Sequence, residues 1–285
     1  MNSVCDIEPA LHRFLVDDGL IPCNAVWHPQ TGGRTNKVWR LTGDQDLICK
    51  LYVDASANPL YANTPAAEYA CLQALAGTGV APDVYGFVET PLGAVLLYHY
   101  IDGRVWDGDT VAVADLITRV HHLTPPTDLR VLSGSSANVT TQGLDILDKV
   151  KTKSSDDLRN MTPVIDVNEV APVLIHTDVV AGNLIFGADG LRLIDWQCPA
   201  LGDPVVDVAM FLSPAMHVIY GAGPLLNAER DGFLAAIDAD VSTRYAQIGA
   251  LYHWRMAAYC LWRADQGVNG YADAALAEIA ILKQT

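Results

Sequence analysis

Residues 174–197 read LIHTDVVAGNLIFGADGLRLIDWQ, and this stretch decides the fold. Two short apolar runs, 184–186 and 191–194, flank Ala188-Asp189-Gly190, the composition of a tight hairpin turn. Ahead of the hairpin stand His176, Asp178 and Asn183, spaced H-x-D-x-x-x-x-N, and directly behind it stands Asp195 of I-D-W. An isolated H-x-D arises often by chance. The full set is far more specific, because an apolar run precedes His176 and an apolar hairpin separates Asn183 from Asp195.

This set resembles the catalytic loop and metal-binding aspartate of the aminoglycoside phosphotransferase and choline kinase superfamily. Protein kinases, its relatives, carry H-R-D and D-F-G at the corresponding places. The resemblance implies an α+β, bilobal protein-kinase-like fold with a β-rich N-lobe and a mainly helical C-lobe. It also implies ATP-dependent phosphoryl transfer to a hydroxyl of a small-molecule acceptor. Such transfer needs the acceptor hydroxyl held in line and divalent cations on the phosphate oxygens. Mg2+ prefers hard oxygen ligands and takes one or two of them from protein. On this reading Asp178 is the catalytic base, Asn183 and Asp195 bind the metal, and His176 supports the loop. Gly202-Asp203-Pro204-x-x-Asp207 matches the G-D-P-x-x-D element of the same superfamily. Capping of a helix opened by Pro204 explains Asp203 sufficiently, so Asp203 and Asp207 read as structural.

The resemblance continues upstream. Gly32-Gly33-Arg34-Thr35-Asn36 is similar to a G-G-x-T-N segment that covers nucleotide phosphates, where glycine lets backbone N–H groups approach an anion. This places Gly32, Gly33 and Asn36 at the nucleotide. Lys50, within Leu47-Ile48-Cys49-Lys50-Leu51, is a charge inside an apolar strand and needs a partner or a ligand. The resemblance sets it on the α/β-phosphates, held by Glu68 of the following helix. The alternative is an edge-strand lysine reaching to water. Residues 96–103 resemble the hinge that meets adenine through backbone groups, which puts Tyr98 and Tyr100 beside the base.

Turn-punctuated runs at 25–28, 36–41 and 46–53 suggest an antiparallel meander, followed by a helix over 64–75 and strands over 83–89 and 94–100. A helix over 6–17 precedes them. Beyond residue 100 the spacing predicts helices over 110–123, 144–150, 205–213, 226–238, 241–264 and 271–283, with a polar, Pro/Ser-rich loop over 124–141. The expected division is an ATP-binding lobe over 1–99 and a lobe carrying the catalytic loop and acceptor pocket over 100–285. His121-His122 read as complements to a helix C-terminus.

The chain has 285 residues, 51% hydrophobic and 18% charged, the profile of a folded globular protein. Its net charge of −15 disfavours nucleic acid and anionic membranes as partners, and suits solubility or a cationic substrate. Six cysteines without a C-x-x-C pair fit a reducing cytoplasm. The first 20 residues lack a basic segment before an apolar core, and no apolar run is long enough to span a bilayer.

For the acceptor, residues 252–262 put several aromatics on one helix, with Trp254 and Trp262 on a shared face. Choline kinases carry a similar helix that helps to cage quaternary ammonium, a cation–π device. Together with Trp196 this favours choline, ethanolamine or thiamine-like amino alcohols, with core packing as the alternative. An aminoglycoside or amino-sugar acceptor is the second reading. A non-catalytic nucleotide-binding module is the third, disfavoured by the presence of Lys50, Asp178 and Asp195. The sequence leaves the oligomeric state open.

Overall fold

The structure, a computed structural model, describes residues 4–30, 35–53, 58–221 and 223–283, with side chains from residue 7 onward. Helix α1 (Val4–Asp17) precedes a five-stranded antiparallel sheet of β1 (Val26–Pro29), β2 (Lys37–Thr42), β3 (Leu47–Leu51), β4 (Val84–Thr90) and β5 (Gly93–His99). Its order is β1-β2-β3-β5-β4, so β3 is central and not an edge. All five residues of β3 are buried, and successive side chains alternate between faces. Cys49 and Leu51 join Leu11, Leu15, Trp39 and Leu97 in a small core under α1. Ile48 and Tyr52 turn the other way, towards helix α2 (Pro65–Ala74) and a second core that continues through the rest of the molecule. Lys50 shares that second face, which aims its ammonium at α2.

The remainder is mainly helical: α3 (Thr110–His121), α4 (Ser136–Leu147), α5 (Lys153–Asn160), α6 (Val205–Phe211), α7 (Pro214–Ile219), α8 (Asn227–Ala236), α9 (Ala239–Asp265) and α10 (Tyr271–Leu282). The 27-residue α9 is the axis on which α4, α5, α6 and α10 pack. Two small antiparallel sheets complete it. One joins β6 (Gly103–Val105), β8 (Leu184–Gly187) and β9 (Gly190–Leu193); the other joins β7 (Val173–Ile175) and β10 (Ala200–Gly202). The β-rich and helical lobes expected from the resemblance are both present. No helix among the described residues is long and apolar enough to cross a membrane.

Three helices differ from the sequence reading. Helix α4 starts at Ser136, inside the expected loop, because Ser135 caps it by accepting the Asn138 N–H at 3.3 Å. Helix α5 was not expected, since KSSDDLRN offers little apolar periodicity; a capping box between Thr152 and Ser155 starts it instead. The helix expected over 205–213 is followed at once by α7, where Ser213 accepts the Met216 N–H and Pro214 occupies the first turn.

Candidate active site

The hairpin β8–β9 positions the chemistry. A single 3-10 turn, Ala181–Asn183, leads into β8, and the Asn183 carbonyl accepts the Ile194 N–H at 2.9 Å. That bond fixes Asn183 and Asp195 side by side at the base of one rigid element. Asp195 itself sits at φ 64°, a left-handed conformation rare for a side-chain-bearing residue. Its Oδ1 pairs with Lys50 Nζ. Lys50 Nζ also reaches Glu68 Oε2 at 2.6 Å, with both side chains almost fully buried. Tyr52 donates its hydroxyl to the same Glu68 oxygen.

Burial alone would push the Lys50 ammonium down, but Asp195 and Glu68 outweigh it and hold it well above the ordinary lysine value. Burial pushes the Glu68 carboxyl up, and Lys50 only partly offsets this. The three residues thus carry one buried cation between two carboxyl groups, from three separate elements.

Asp178 lies on the loop before the turn. Asn183 Nδ2 donates to both its carbonyl, at 3.0 Å, and its Oδ2, at 3.1 Å. Burial, with Asp195 close by, raises the Asp178 carboxyl to about 7 against the opposing pull of Asn183 and Lys50. His176 is fully buried and acts within the loop. Its Nδ1 accepts the Asp178 N–H at 3.2 Å and its Nε2 donates to the Ile194 carbonyl at 3.1 Å. Those two bonds assign the neutral tautomer, and burial lowers its pKa to about 4.

Two residues that the sequence reading treated as helix furniture hold this loop in place. Asp207 accepts the backbone N–H groups of His176 at 3.0 Å and Thr177 at 2.7 Å, and pairs with His121 Nε2 at 3.1 Å. His121 is therefore a buried partner of Asp207, not an exposed complement to the end of α3. Asp203 precedes α6, accepts the Val205 N–H at 3.0 Å and forms a buried ion pair with Arg244 at 3.0 Å.

The other expected positions fall as follows. Gly32 and Gly33 lie outside the described residues. Asn36 donates to Asn63 Oδ1 at 2.9 Å and to Gln197 Oε1 at 3.0 Å, tying the segment before β2 to the residues after Asp195. Tyr98 is buried, its hydroxyl within electrostatic range of Lys50, Glu68 and Asp195. Tyr100 stacks under the Arg40 guanidinium at 3.7 Å. The aromatic cage is a correction. Trp254 is fully buried, donates to the Leu158 carbonyl at 2.9 Å and packs on Gly143. Trp196 is likewise fully buried, bonded to the Leu193 carbonyl, its ring edge against His176 at 4.6 Å. Trp262 is 8% exposed and leans on Tyr259. Trp196 and Trp254 therefore pack as core residues, while Trp262 keeps a small exposed edge.

Sequence reasoning missed Tyr61, Arg130 and Arg255. The Tyr61 hydroxyl lies within electrostatic range of Asp178 and of Arg255, and its ring meets Tyr259 edge-on at 5.2 Å. No motif marks these three; only the folded chain brings segments 58–64, 130–132 and α9 together.

The profile of the phosphotransferase enzyme family, named APH, matches residues 26–246. The chain belongs to this family. Solved structures of several kinases and phosphotransferases share its fold. A choline/ethanolamine kinase family protein from Mesorhizobium loti superposes with TM-score 0.63 at 16% identity, over 95% of this chain and 94% of that one. A choline kinase from Cryptosporidium parvum gives 0.62 at 11% identity, over 97% and 94%. A macrolide 2'-phosphotransferase from Brachybacterium faecium gives 0.60 at 13% identity, over 94% and 96%. At these identities the likeness is one of fold, and it spans acceptors of several classes. Curated protein sequences give no match.

Proposed function

We propose that this phosphotransferase moves the γ-phosphoryl group of ATP to a hydroxyl of a small molecule, with Asp178 as the base. One observation carries the reading: Lys50 is ion-paired with both Glu68 and Asp195, while Asn183 joins Asp195 to Asp178 at the foot of one hairpin. A buried ammonium poised between carboxylates is suited to meet phosphate oxygens. Asp178, with its pKa near 7, can accept a proton at neutral pH. The acceptor hydroxyl gives its proton to Asp178 as the new P–O bond forms. The bond from the γ-phosphorus to the bridging oxygen breaks, and ADP leaves.

The donor set fits Mg2+. Asn183 Oδ1 and Asp195 Oδ2 are hard oxygens without a protein partner among the described residues, and the Asp195 side chain is 30% exposed. When bound, Mg2+ would neutralise charge on the phosphate oxygens. Tyr98 and Tyr100 stand at the strand end where the adenine would lie, and His176 and Asp203 act as supports.

The acceptor is a small alcohol. With Trp196 and Trp254 in the core, the amino-alcohol reading retains only the acidic net charge in its favour, and amino sugars share that support. The test is incubation of purified protein with ATP, Mg2+ and a panel of alcohols that includes choline, thiamine, kanamycin, D-glycerate and glycerol 3-phosphate. Acceptor-dependent ADP release and a new phosphoester signal by phosphorus NMR are expected. Release of ADP independent of every alcohol, with no phosphoester, would remove the reading.

A further inference from the structure

Two arginines, Arg255 and Arg130, have no carboxylate partner among the described residues. Arg255 on α9 donates to Gln142 Oε1 at 2.5 Å and stacks over Tyr252 at 4.8 Å. Arg130 donates to the carbonyls of Cys198 at 3.0 Å and Leu60 at 3.5 Å. The Nε atoms of both are buried without a hydrogen-bond partner. Six other arginines, Arg40, Arg104, Arg119, Arg159, Arg192 and Arg244, each meet an aspartate, while Arg230 and Arg263 lean on aromatic rings. Arg130 and Arg255 rest on neutral oxygens in a protein with 33 acidic residues. Withdrawing a guanidinium from water without a counter-ion is costly, and an anionic ligand is the usual compensation.

Their placement says where that ligand sits. Tyr61 has both Asp178 and Arg255 within range of its hydroxyl, and that hydroxyl has no partner among the described residues. Arg130 and the Thr177 hydroxyl converge on the same Cys198 carbonyl, one residue before Asp178 in the loop. Arg130 thus reaches the loop of Asp178 through the Cys198 carbonyl and holds the Leu60 carbonyl beside Tyr61, whose ring meets Tyr259, one turn along α9 from Arg255.

We propose that Arg255, Arg130 and Tyr61 form an oxyanion subsite, and that the accepting alcohol carries a carboxylate or a phosphate. This rests on the phosphotransferase reading above and narrows its acceptor. The planar fork of arginine matches either oxyanion, and the phenol donates a further hydrogen bond. The anion would anchor the acceptor so that its hydroxyl meets Asp178.

Two measurements test it. Inorganic sulfate is titrated calorimetrically into protein already saturated with Mg2+ and a non-hydrolysable ATP analogue, so that the nucleotide phosphates no longer compete. Wild type should bind sulfate, and Arg255→Gln should weaken it about tenfold or more, the size of a lost charge-assisted hydrogen bond. Arg255→Lys, which keeps the charge, should fall between them; it also serves if the Gln variant folds poorly. No sulfate binding by wild type, or equal binding by folded Arg255→Gln, overturns the proposal. In turnover, D-glycerate and glycerol 3-phosphate separate the carboxylate from the phosphate source, with glycerol as the uncharged control. At least one anion should exceed glycerol, with KM raised in Arg255→Gln more than kcat is lowered. Preference for choline, kanamycin or glycerol over both anions refutes the anion subsite and leaves the kinase reading standing. Failure of the nucleotide analogue to bind would instead count against the kinase reading.

Discussion

The carboxylate of Asp207 accepts the Thr177 N–H at 2.7 Å while Thr177 sits at φ 71°, a conformation unfavourable for a β-branched residue. The loop that carries Asp178 is thus held in a strained shape by a side chain 30 residues away on α6. Asp207→Ala removes an acceptor from three buried donors at once, and should cost about 3 kcal/mol or more of stability. Urea unfolding measures it. A loss under about 1 kcal/mol would mean that the loop holds its shape without Asp207.

Glu68 and Lys50 make a second prediction. Glu68→Ala leaves a buried ammonium with only Asp195, and breaking a buried pair typically costs about 3–5 kcal/mol. Lys50→Met fills the space with apolar volume and should cost less in stability, yet weaken binding of Mg2+-ATP by at least about tenfold. Denaturation and nucleotide titration of both variants decide it. Equal stability loss with unchanged nucleotide affinity would detach Lys50 from the phosphates.

Trp254 should answer to packing, not to acceptor chemistry. A Cβ on Gly143 would come within 2.0 Å of the Trp254 ring, so Gly143→Ala should destabilise the protein by about 1–3 kcal/mol. Trp254→Ala should cost about 3–5 kcal/mol. Among folded conservative variants such as Trp254→Phe, the ranking of acceptors should not change. A changed ranking would return this tryptophan to the acceptor site.

Asp178 gives a pH signature. Its folded-state pKa lies near 7, above the ordinary aspartate value of 3.8, so the folded protein binds the proton more tightly than the unfolded chain. Its contribution is therefore fully present below pH 3.8 and is lost as pH rises through about 7. Relative to Asp178→Asn, wild-type stability should fall with a slope of up to about 1.4 kcal/mol per pH unit across that window and then level off. Parallel denaturation series of the two proteins, free of nucleotide and metal, measure the difference. A flat difference curve would place the Asp178 carboxyl in an ordinary solvated setting.

The hairpin signature made the fold legible because its apolar runs and polar ends sit close in sequence and satisfy each other locally. The same is true of Lys50, since one charge inside an apolar strand needs a partner on the next element. Other features depend on contacts that periodicity does not encode. Asp207 and His121 are 86 residues apart, and both read as ordinary helix-terminal groups until they meet. Helix α5 is set by a capping box rather than an apolar stripe. The aromatic face of α9 is present as read, but helical spacing cannot say whether a face meets a pocket or another helix, and here α4 and α5 cover it. Arg130 and Arg255 have no carboxylate partner among the described residues, which only the folded chain reveals.

The central claim is that Asp178 takes the proton of the accepting hydroxyl. The direct measurement is kcat of Asp178→Asn on the best acceptor of the panel, with Mg2+-ATP affinity measured on the same preparation. The account predicts a fall in kcat of about a hundredfold or more, the typical share of a positioned base, with nucleotide affinity largely kept. A kcat within a few-fold of wild type, in protein that still binds Mg2+-ATP, would contradict it.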